Sequence, residues 1–380
     1  MAQSRHELRQ EGSRVKKNKW WSILLKYGIG IALLAFVIYR NWHGIVDVLQ
    51  KPMRPLPYAM AAVCCVTTVF ITFFRWYLLV RAQGLPFSLR NAVRLGLVGY
   101  FFNTFLPGAV GGDLIKAAAI AREQQRRTVA VSTVLLDRAI GLWALIALVA
   151  IVGGVFWLID PEMMRAQPDL AVIVRSALGV FAGTLAVWFS LGFLPERRAH
   201  RFAGRLESIP KNGHVLREFW LAIWLYRNRG GTVLLALLLS MVGHTSSVLM
   251  FYFAALTFQP AGAAAAIPGL REHFLLVPIG MAVQAFFPAP GGIGGGEFVF
   301  GRLYVLLGFS ETAGFFGSMG QRLLTWAIGA VGFVVYSFMK KELPTVDGQK
   351  SLASEAHEHM LQNEAKKENS PVLQTGVRAH

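Results

Sequence analysis

In Phe101-Phe102-Asn103-Thr104-Phe105-Leu106-Pro107-Gly108-Ala109-Val110-Gly111-Gly112-Asp113, an apolar segment is broken by proline and glycine. A second copy of this pattern reads Phe286-Phe287-Pro288-Ala289-Pro290-Gly291-Gly292-Ile293-Gly294-Gly295-Gly296-Glu297. In each copy an apolar run of helical length stops at the break, and the chain restarts at an acidic residue. Paired segments of this kind are typical of the binding site in a membrane transporter built from two repeats.

The similarity between the copies extends beyond the breaks. Asp113 is followed 24 residues later by Asp137-Arg138, and Glu297 is followed 24 residues later by Gln321-Arg322. Ionisable residues are costly inside a membrane and usually face the interior of a helix bundle. We expect these residues to face the interior too, either as buried ion pairs or as groups that bind an anion.

The composition indicates an integral membrane protein. Of the 380 residues, 54% are apolar and 16% are charged, and a run of about 20 apolar residues can cross about 30 Å of hydrocarbon. Such runs predict spans at 20–40, 57–80, 139–159, 170–194, 232–258 and 312–339. Two further segments, 91–121 and 273–308, are apolar but broken in the middle.

The net charge of +17 is explained better by membrane orientation than by nucleic-acid binding. Lysine and arginine gather in short segments beside the spans, and such segments are typically cytoplasmic. This places the basic N-terminus, 1–19, and the polar tail, 341–380, in the cytoplasm. The loop 41–56 is assigned to the outside, because successive loops alternate between the two sides of the membrane and the other loops fix this order. Its basic residues nevertheless outnumber its acids.

The same charges predict the course of the two broken segments. Residues 81–90 and 122–127 are both basic, so 91–121 should enter from the cytoplasm and return, while 273–308 should dip in from the opposite face. The predicted fold is an all-α polytopic membrane protein with two inverted-topology repeats, 20–160 and 170–340. It has about six full spans plus two re-entrant broken-helix hairpins. Eight full spans are the alternative.

The breaks are predicted to face the protein interior, because unpaired backbone groups are not tolerated against lipid. Asp113 and Glu297 would open the returning helices, whose free N–H groups suit a phosphate. Asp113 could also act as a helix cap alone, whereas Glu297 is a poorer cap and a stronger candidate for function. The predicted break residues are Asn103, Pro107, Gly108, Gly111, Gly112, Pro290, Gly291, Gly292, Gly294 and Gly295.

Other polar residues near the breaks allow two interpretations each. Lys116 and Arg302 could line a transport path or extend toward the membrane surface. Asn103 and Gln284 could pair backbone groups that the breaks leave free. Arg75 has an aromatic neighbour near a predicted cytoplasmic end and is interpreted as an interfacial anchor. His244 is interpreted as a partner in an interhelical hydrogen bond rather than as a proton relay.

The loop 195–231 is basic and also rich in aromatic residues. Its second half, about 212–228, is predicted to form an amphipathic helix at the surface of anionic lipid. A solvated linker helix is the alternative.

Sequence motifs exclude several classes of enzyme. The chain contains no H-E-x-x-H, G-x-S-x-G or Walker-type phosphate loop, which leaves metalloprotease, α/β-hydrolase and ATP-driven pump without support. Cys64 and Cys65 are adjacent within a predicted span and indicate neither a disulfide nor a metal site. We expect no cofactor and no metal.

The two glycine- and proline-rich motifs, each followed by its acid and a later arginine, resemble the flippase-like transmembrane region of the lysylphosphatidylglycerol synthase family. The resemblance covers about 20–340. It implies a membrane region associated with moving lipids between leaflets, including aminoacylated phosphatidylglycerol and, in archaeal relatives, polyprenyl-phosphate-linked sugars. Aminoacylating members carry a large soluble C-terminal domain, whereas about 40 residues follow the last predicted span here, so we expect a transporter and no aminoacyl transfer.

The leading hypothesis is a lipid translocase of a bacterial inner membrane, with both termini cytoplasmic and an anionic phospholipid or lipid-linked intermediate as substrate. The candidate substrate-binding residues are Asp113, Lys116, Asp137, Arg138, Glu297, Arg302 and Arg322. A carrier of a small soluble anion is the main alternative, and a membrane scaffold for a lipid-synthesising enzyme is the third. The expected partners are membrane lipids and, in some readings, a lipid-modifying enzyme, but no nucleic acid.

Overall fold

Helices make up the secondary structure of the described chain. The computed structural model describes residues 25, 27–106, 111–124, 126–192, 195–208, 229–259 and 267–339, with the isolated positions 213, 216, 217, 220 and 224. No β-strand occurs in these ranges, and the predicted all-α class is confirmed. The predictions for the N-terminus 1–19, the tail 341–380, Pro107 and Gly108 fall outside these ranges.

The helices are numbered in chain order. They are α1 (Tyr27–Arg40), α2 (Trp42–Leu49), α3 (Pro55–Ala82), α4 (Leu89–Phe105), α5 (Gly111–Glu123), α6 (Arg127–Ile159), α7 (Pro161–Ala166), α8 (Pro168–Gly192), α9 (Glu196–Glu207), α10 (Gly230–Thr257), α11 (Leu270–Phe286), α12 (Gly295–Leu306) and α13 (Glu311–Met339). A 3₁₀ turn, Pro290–Gly292, lies between α11 and α12.

Several helices are long and apolar enough to cross a membrane, so the chain is a multi-pass membrane protein. Five described helices qualify singly, namely α3, α6, α8, α10 and α13, and each overlaps one predicted span. A sixth span is possible if α1 and α2, which meet at a 75° bend, are counted together. Helix α6 has 33 residues and begins well before the predicted 139–159.

The two broken segments form pairs of shorter helices. Helices α4, α5, α11 and α12 have 17, 13, 17 and 12 residues, which corresponds to lengths of about 18 to 26 Å. Each is shorter than the hydrocarbon core of about 30 Å. Helix α4 packs on α5, and α11 packs on α12. The Gln124 side chain, just after α5, donates a hydrogen bond of 2.7 Å to the Pro86 carbonyl, just before α4, so the two ends of this pair lie together.

The order of helix lengths recurs along the chain. Helix α3 has 28 residues and α10 has 28. Each is followed by a helix of 17 residues, then by one of 13 or 12, and then by a long helix of 33 or 29. The second series therefore matches the first element by element.

The two matching 28-residue helices pack directly against each other. The Ser246 hydroxyl of α10 donates to the Cys64 carbonyl of α3 at 3.0 Å, and Thr68 donates to the Gly243 carbonyl at 3.2 Å. Further along α3, the Arg75 guanidinium donates to Ser240 at 2.8 Å. As the residue numbers increase along α3, the numbers of the contacting residues on α10 decrease. The two helices therefore run antiparallel and cross near their midpoints.

The main apolar core lies among α6, α8, α10, α11 and α12. It is formed by buried side chains that include Phe156, Leu170, Phe251, Leu276 and Phe300. All residues of the candidate site belong to the first of two compact units, Met1–Val335.

In the segment 195–231, the structure has a helix before the position of the predicted one. Helix α9 begins at Glu196, in the half of the segment where no helix was predicted, and its Phe202 ring contacts Trp220 with ring centroids 4.8 Å apart. Most of the predicted amphipathic helix, 212–228, falls outside the residues that the structure describes.

Candidate functional site

The second break is a backbone turn that requires glycine. Gly291, Gly292 and Gly294 have φ angles of 54°, 67° and 78°, a region that residues with a Cβ atom avoid. Pro290 opens the 3₁₀ turn, and Gly295 is the first residue of α12. The backbone N–H of Gly294 donates to Glu297 Oε2 at 2.7 Å. Glu297 therefore caps the new helix, a role for which the sequence made it the weaker candidate.

Glu297 also forms a fully enclosed ion pair with Arg322. Arg322 Nε donates to Glu297 Oε1 at 2.6 Å, and Nη2 donates to Oε2 at 3.0 Å. The two side chains are 0% and 3% exposed. The Ser318 hydroxyl donates to the same carboxylate at 3.2 Å. A buried pair with this number of hydrogen bonds has both charges compensated.

The remaining donors of Arg322 close the break itself. Nη1 donates to the Gly291 carbonyl at 3.0 Å and Nη2 to the Gly292 carbonyl at 3.3 Å. The Gln284 amide also donates to the Gly291 carbonyl, at 3.1 Å, as predicted for a residue that pairs freed backbone groups. Every nitrogen of the Arg322 guanidinium thus has an acceptor, and in this conformation the arginine holds the break together.

The first break carries the equivalent ion pair in a more open form. Asp113, in the first turn of α5, accepts a hydrogen bond of 2.6 Å from Arg138 Nη1. The two pairs have the same sequence separation of 25 residues. Here, however, the arginine side chain is 31% exposed and the aspartate side chain 12%. The Arg138 side chain is therefore partly exposed, whereas the Arg322 side chain is enclosed.

Backbone groups at the first break are paired by a side chain, as predicted. Gly111 and Gly112 are the first two residues of α5, and the Gly112 N–H donates to Asn103 Oδ1 at 2.8 Å. An amide on α4 thus caps the start of α5. The segment that contains Pro107 and Gly108 is not among the residues described.

The two breaks lie next to each other. A Cβ atom on Gly291 would lie 3.1 Å from the carbonyl oxygen of Thr104, which is near the end of α4. Helix α1 contacts both breaks: the Tyr27 hydroxyl donates to the Phe105 carbonyl at 2.8 Å, and Gly30 packs against Ala289. The Asp113–Arg138 and Glu297–Arg322 pairs therefore belong to a single region of the bundle.

A third buried ion pair corrects the interpretation of Arg75. This residue is 6% exposed, and its Nε donates to Asp137 Oδ1 at 2.8 Å while Nη2 donates to the Asp137 carbonyl at 3.2 Å. With its bond to Ser240, it joins α3, α6 and α10. The prediction of an interfacial anchor was wrong, because Arg75 points into the bundle. The sequence did contain a signal for this ion pair. Asp137 is an intramembrane acid, and Arg138 cannot be its partner because adjacent residues on a helix do not face each other.

The other candidate residues are dispersed. Lys116 is 6% exposed, and its ammonium lies 4.2 Å from the centre of the Trp76 ring, so it does not extend to the surface. Arg302 is exposed on α12, and among the described contacts none joins it to the Glu297–Arg322 pair. His244 Nε2 bonds the Gly141 carbonyl at 2.9 Å, which confirms the predicted interhelical hydrogen bond.

The cavities among the described residues lie apart from the Arg75, Arg138 and Arg322 ion pairs. One of about 70 Å³ between α3, α4 and α10 is mostly apolar and is lined by residues that include Cys65, Thr68, Tyr100 and Met250. Another, of about 530 Å³, is mostly apolar and lies at 52–60 beside Phe253 and Leu256. Among the described residues, no cluster of three histidine, cysteine or acidic side chains could hold a metal ion.

Comparison with known families gives one result. Residues 23–332 match the family model described as the lysylphosphatidylglycerol synthase TM region. The matched range contains both breaks and the three ion pairs Asp113–Arg138, Glu297–Arg322 and Arg75–Asp137. No curated protein matches the chain.

Proposed function

Because the chain belongs to the family of lysylphosphatidylglycerol synthase TM regions, we propose that it is a lipid translocase. The family ties this membrane protein to lipid handling. The proposed activity is the movement of an anionic phospholipid or a lipid-linked intermediate between the leaflets of a bacterial inner membrane. The observation that carries this proposal is the pair of equivalent acid–arginine contacts at two adjoining breaks, one enclosed and one open.

The proposed architecture is an inverted repeat. Helices α3 and α10 have equal length, run antiparallel and cross near their midpoints, and a two-fold axis in the membrane plane would relate two helices in this way. The helices that follow each of them match in order and length. An inverted repeat can present one central site to the two sides of the membrane in turn.

The proposed position of the helix pair α4 and α5 is re-entrant. Both helices are too short to span the hydrocarbon core, and the hydrogen bond from Gln124 to Pro86 joins the chain before the pair to the chain after it. The end of α4 then lies inside the membrane, in contact with α1 and with the second break. Irregular backbone at that depth needs cover of this kind.

The proposed mechanism starts at the open pair. A headgroup phosphate approaches Arg138, and it competes with Asp113 for the guanidinium. The acyl chains stay in the bilayer. The halves then move relative to each other, so that the first pair becomes enclosed and the second opens. The exposed fractions of the two arginine side chains, 31% for Arg138 and 3% for Arg322, are those expected for one of the two states of such a cycle.

The test is leaflet exchange in proteoliposomes. Headgroup-labelled phosphatidylglycerol, phosphatidylcholine and a polyprenyl phosphate would be compared for the wild type, Arg138→Ala and Lys51→Gln. Lys51 is a surface lysine paired with Asp47, so its variant removes a positive charge away from the breaks. We expect the wild type to exchange an anionic lipid. The rate should fall at least about tenfold in Arg138→Ala, because one charged hydrogen bond to the lipid is lost, and it should stay unchanged in Lys51→Gln.

Two results would contradict the proposal. One is exchange that is equally fast in all three proteins. The other is the absence of exchange for every lipid, with and without a proton gradient. In that second case, uptake of labelled phosphate into the same proteoliposomes would test the carrier of a soluble anion, to which an open Arg138 is equally suited.

A further inference from the structure

Lys116 occupies a built position inside the helix bundle. Its stem lies against Gly99 of α4, where a Cβ atom would come within 2.6 Å of Lys116 Cδ. Its ammonium lies over the face of Trp76 of α3, 4.2 Å from the ring centre. Among the residues that the structure describes, Lys116 has neither a carboxylate partner nor a hydrogen bond. A buried ammonium without a counter-ion is strongly disfavoured, and an aromatic face compensates only part of its charge.

The second half of the chain contains the same constellation without the charge. Gly99 and Gly280 are each the eleventh residue of α4 and α11, and Lys116 and Phe300 are each the sixth residue of α5 and α12. Trp76 and Phe251 are each the twenty-second residue of α3 and α10.

The contacts at these positions correspond as well. A Cβ atom on Gly280 would clash with the Phe300 ring, as one on Gly99 would with the Lys116 stem. The Phe300 ring centre lies 4.3 Å from that of Phe251, close to the distance between the Lys116 ammonium and Trp76. An aromatic side chain therefore satisfies the packing of this position, and packing alone does not require a lysine.

We propose that Lys116 is an anion-binding group of the first half and takes a phosphate, either from a lipid headgroup or free in solution. Asp113 lies one helical turn before Lys116 on α5, and it pairs with the half-open Arg138. A phosphate that reaches Lys116 has no carboxylate to displace among the described residues, whereas at Arg138 it competes with Asp113. At the matching position of the second half Phe300 carries no charge, and Arg322 is enclosed. The lipid form of this inference rests on the proposed function.

The test uses the purified full-length protein in detergent, with melting temperature as the readout. Phosphatidylglycerol, phosphatidylcholine with the same acyl chains and inorganic phosphate would each be titrated. Lys116→Phe copies the residue that the second half carries at this position, and Lys116→Met is the alternative if the ring is not accommodated. Lys51→Gln is the matched control for the loss of a lysine charge. We expect an anion-dependent rise in melting temperature for the wild type and Lys51→Gln, with binding about ten- to a hundredfold weaker in Lys116→Phe.

The titrations also distinguish the ligands. A rise with phosphatidylglycerol but not with inorganic phosphate identifies a lipid headgroup, and a rise with inorganic phosphate identifies a free anion. Equal anion binding by the wild type and both Lys116 variants would overturn the inference, as would no rise with any anion. If the wild type binds anions through Lys116 but exchanges no lipid between leaflets, the inference holds while the translocase proposal fails.

Discussion

At the scale of single residues, burial separates two ion pairs that look alike in the sequence. Both link an acid in the first turn of a helix to an arginine 25 residues later. Glu297 and Arg322 are enclosed, and further bonds to Gly291 and Gly292 occupy the guanidinium. Arg138 keeps almost a third of its side chain exposed. The first pair is therefore suited to rearrangement, and the second holds the structure together in this conformation.

This difference predicts unequal stability losses. Glu297→Gln keeps the shape and the cap but leaves Arg322 as an uncompensated buried charge, which should cost about 3–5 kcal/mol. Asp113→Asn should cost about 1 kcal/mol, since solvent screens the partly exposed Arg138. Melting temperatures in detergent should therefore fall much further for Glu297→Gln. Equal decreases for the two variants would show that the pairs are equally buried in solution.

At the scale of elements, close packing at glycine determines how α4 and α5 fit together. Gly112 of α5 faces Gly99 of α4 so closely that a Cβ atom on Gly112 would overlap the Gly99 carbonyl. The same approach allows Asn103 to cap Gly112. Gly112 thus serves the contact between the two helices.

Gly112→Ala should force the two helices apart and destabilise the protein by about 1–3 kcal/mol. Gly179→Ala is the matched control, because Gly179 lies within α8 with no atom in reach of an added Cβ. Alanine there should stabilise the helix by about 0.5–1 kcal/mol. Thermal unfolding of both variants checks this, and a Gly112→Ala variant as stable as the wild type would rule out the tight contact.

At the scale of the whole molecule, the sidedness of the first helix pair can be measured. In a background with Cys64→Ala and Cys65→Ala, single cysteines would be placed at Arg90 and Arg126, which are exposed at the two ends of the pair. A membrane-impermeant maleimide should label both from the cytoplasmic side, in inside-out vesicles and not in intact cells. Labelling from opposite sides would favour the alternative of eight full spans.

The antiparallel contact between α3 and α10 offers a test of relative motion. The Thr68 and Ser247 hydroxyl oxygens are 3.3 Å apart, so cysteines at both positions in the same cysteine-free background should cross-link on oxidation. If the halves move at this contact, the cross-link should slow lipid exchange more than about tenfold, which corresponds to an activation barrier higher by about 1.4 kcal/mol or more. Reducing the disulfide should restore the exchange rate. Unchanged exchange in fully cross-linked protein would place the motion elsewhere.

The membrane class, the long spans, the two breaks and their matching acids and arginines are readable from the sequence, because hydropathy and the properties of proline and glycine act locally. The tertiary structure alone decided which charges meet. Asp137 pairs with Arg75, 62 residues earlier, and Lys116 lies on Trp76 rather than at the surface. Such contacts depend on side chains that separate helices bring together, and the exposure of Arg138 against that of Arg322 depends on how several helices enclose them. The order of residues along the chain predicts neither the contacts between separate helices nor the enclosure of the two arginines.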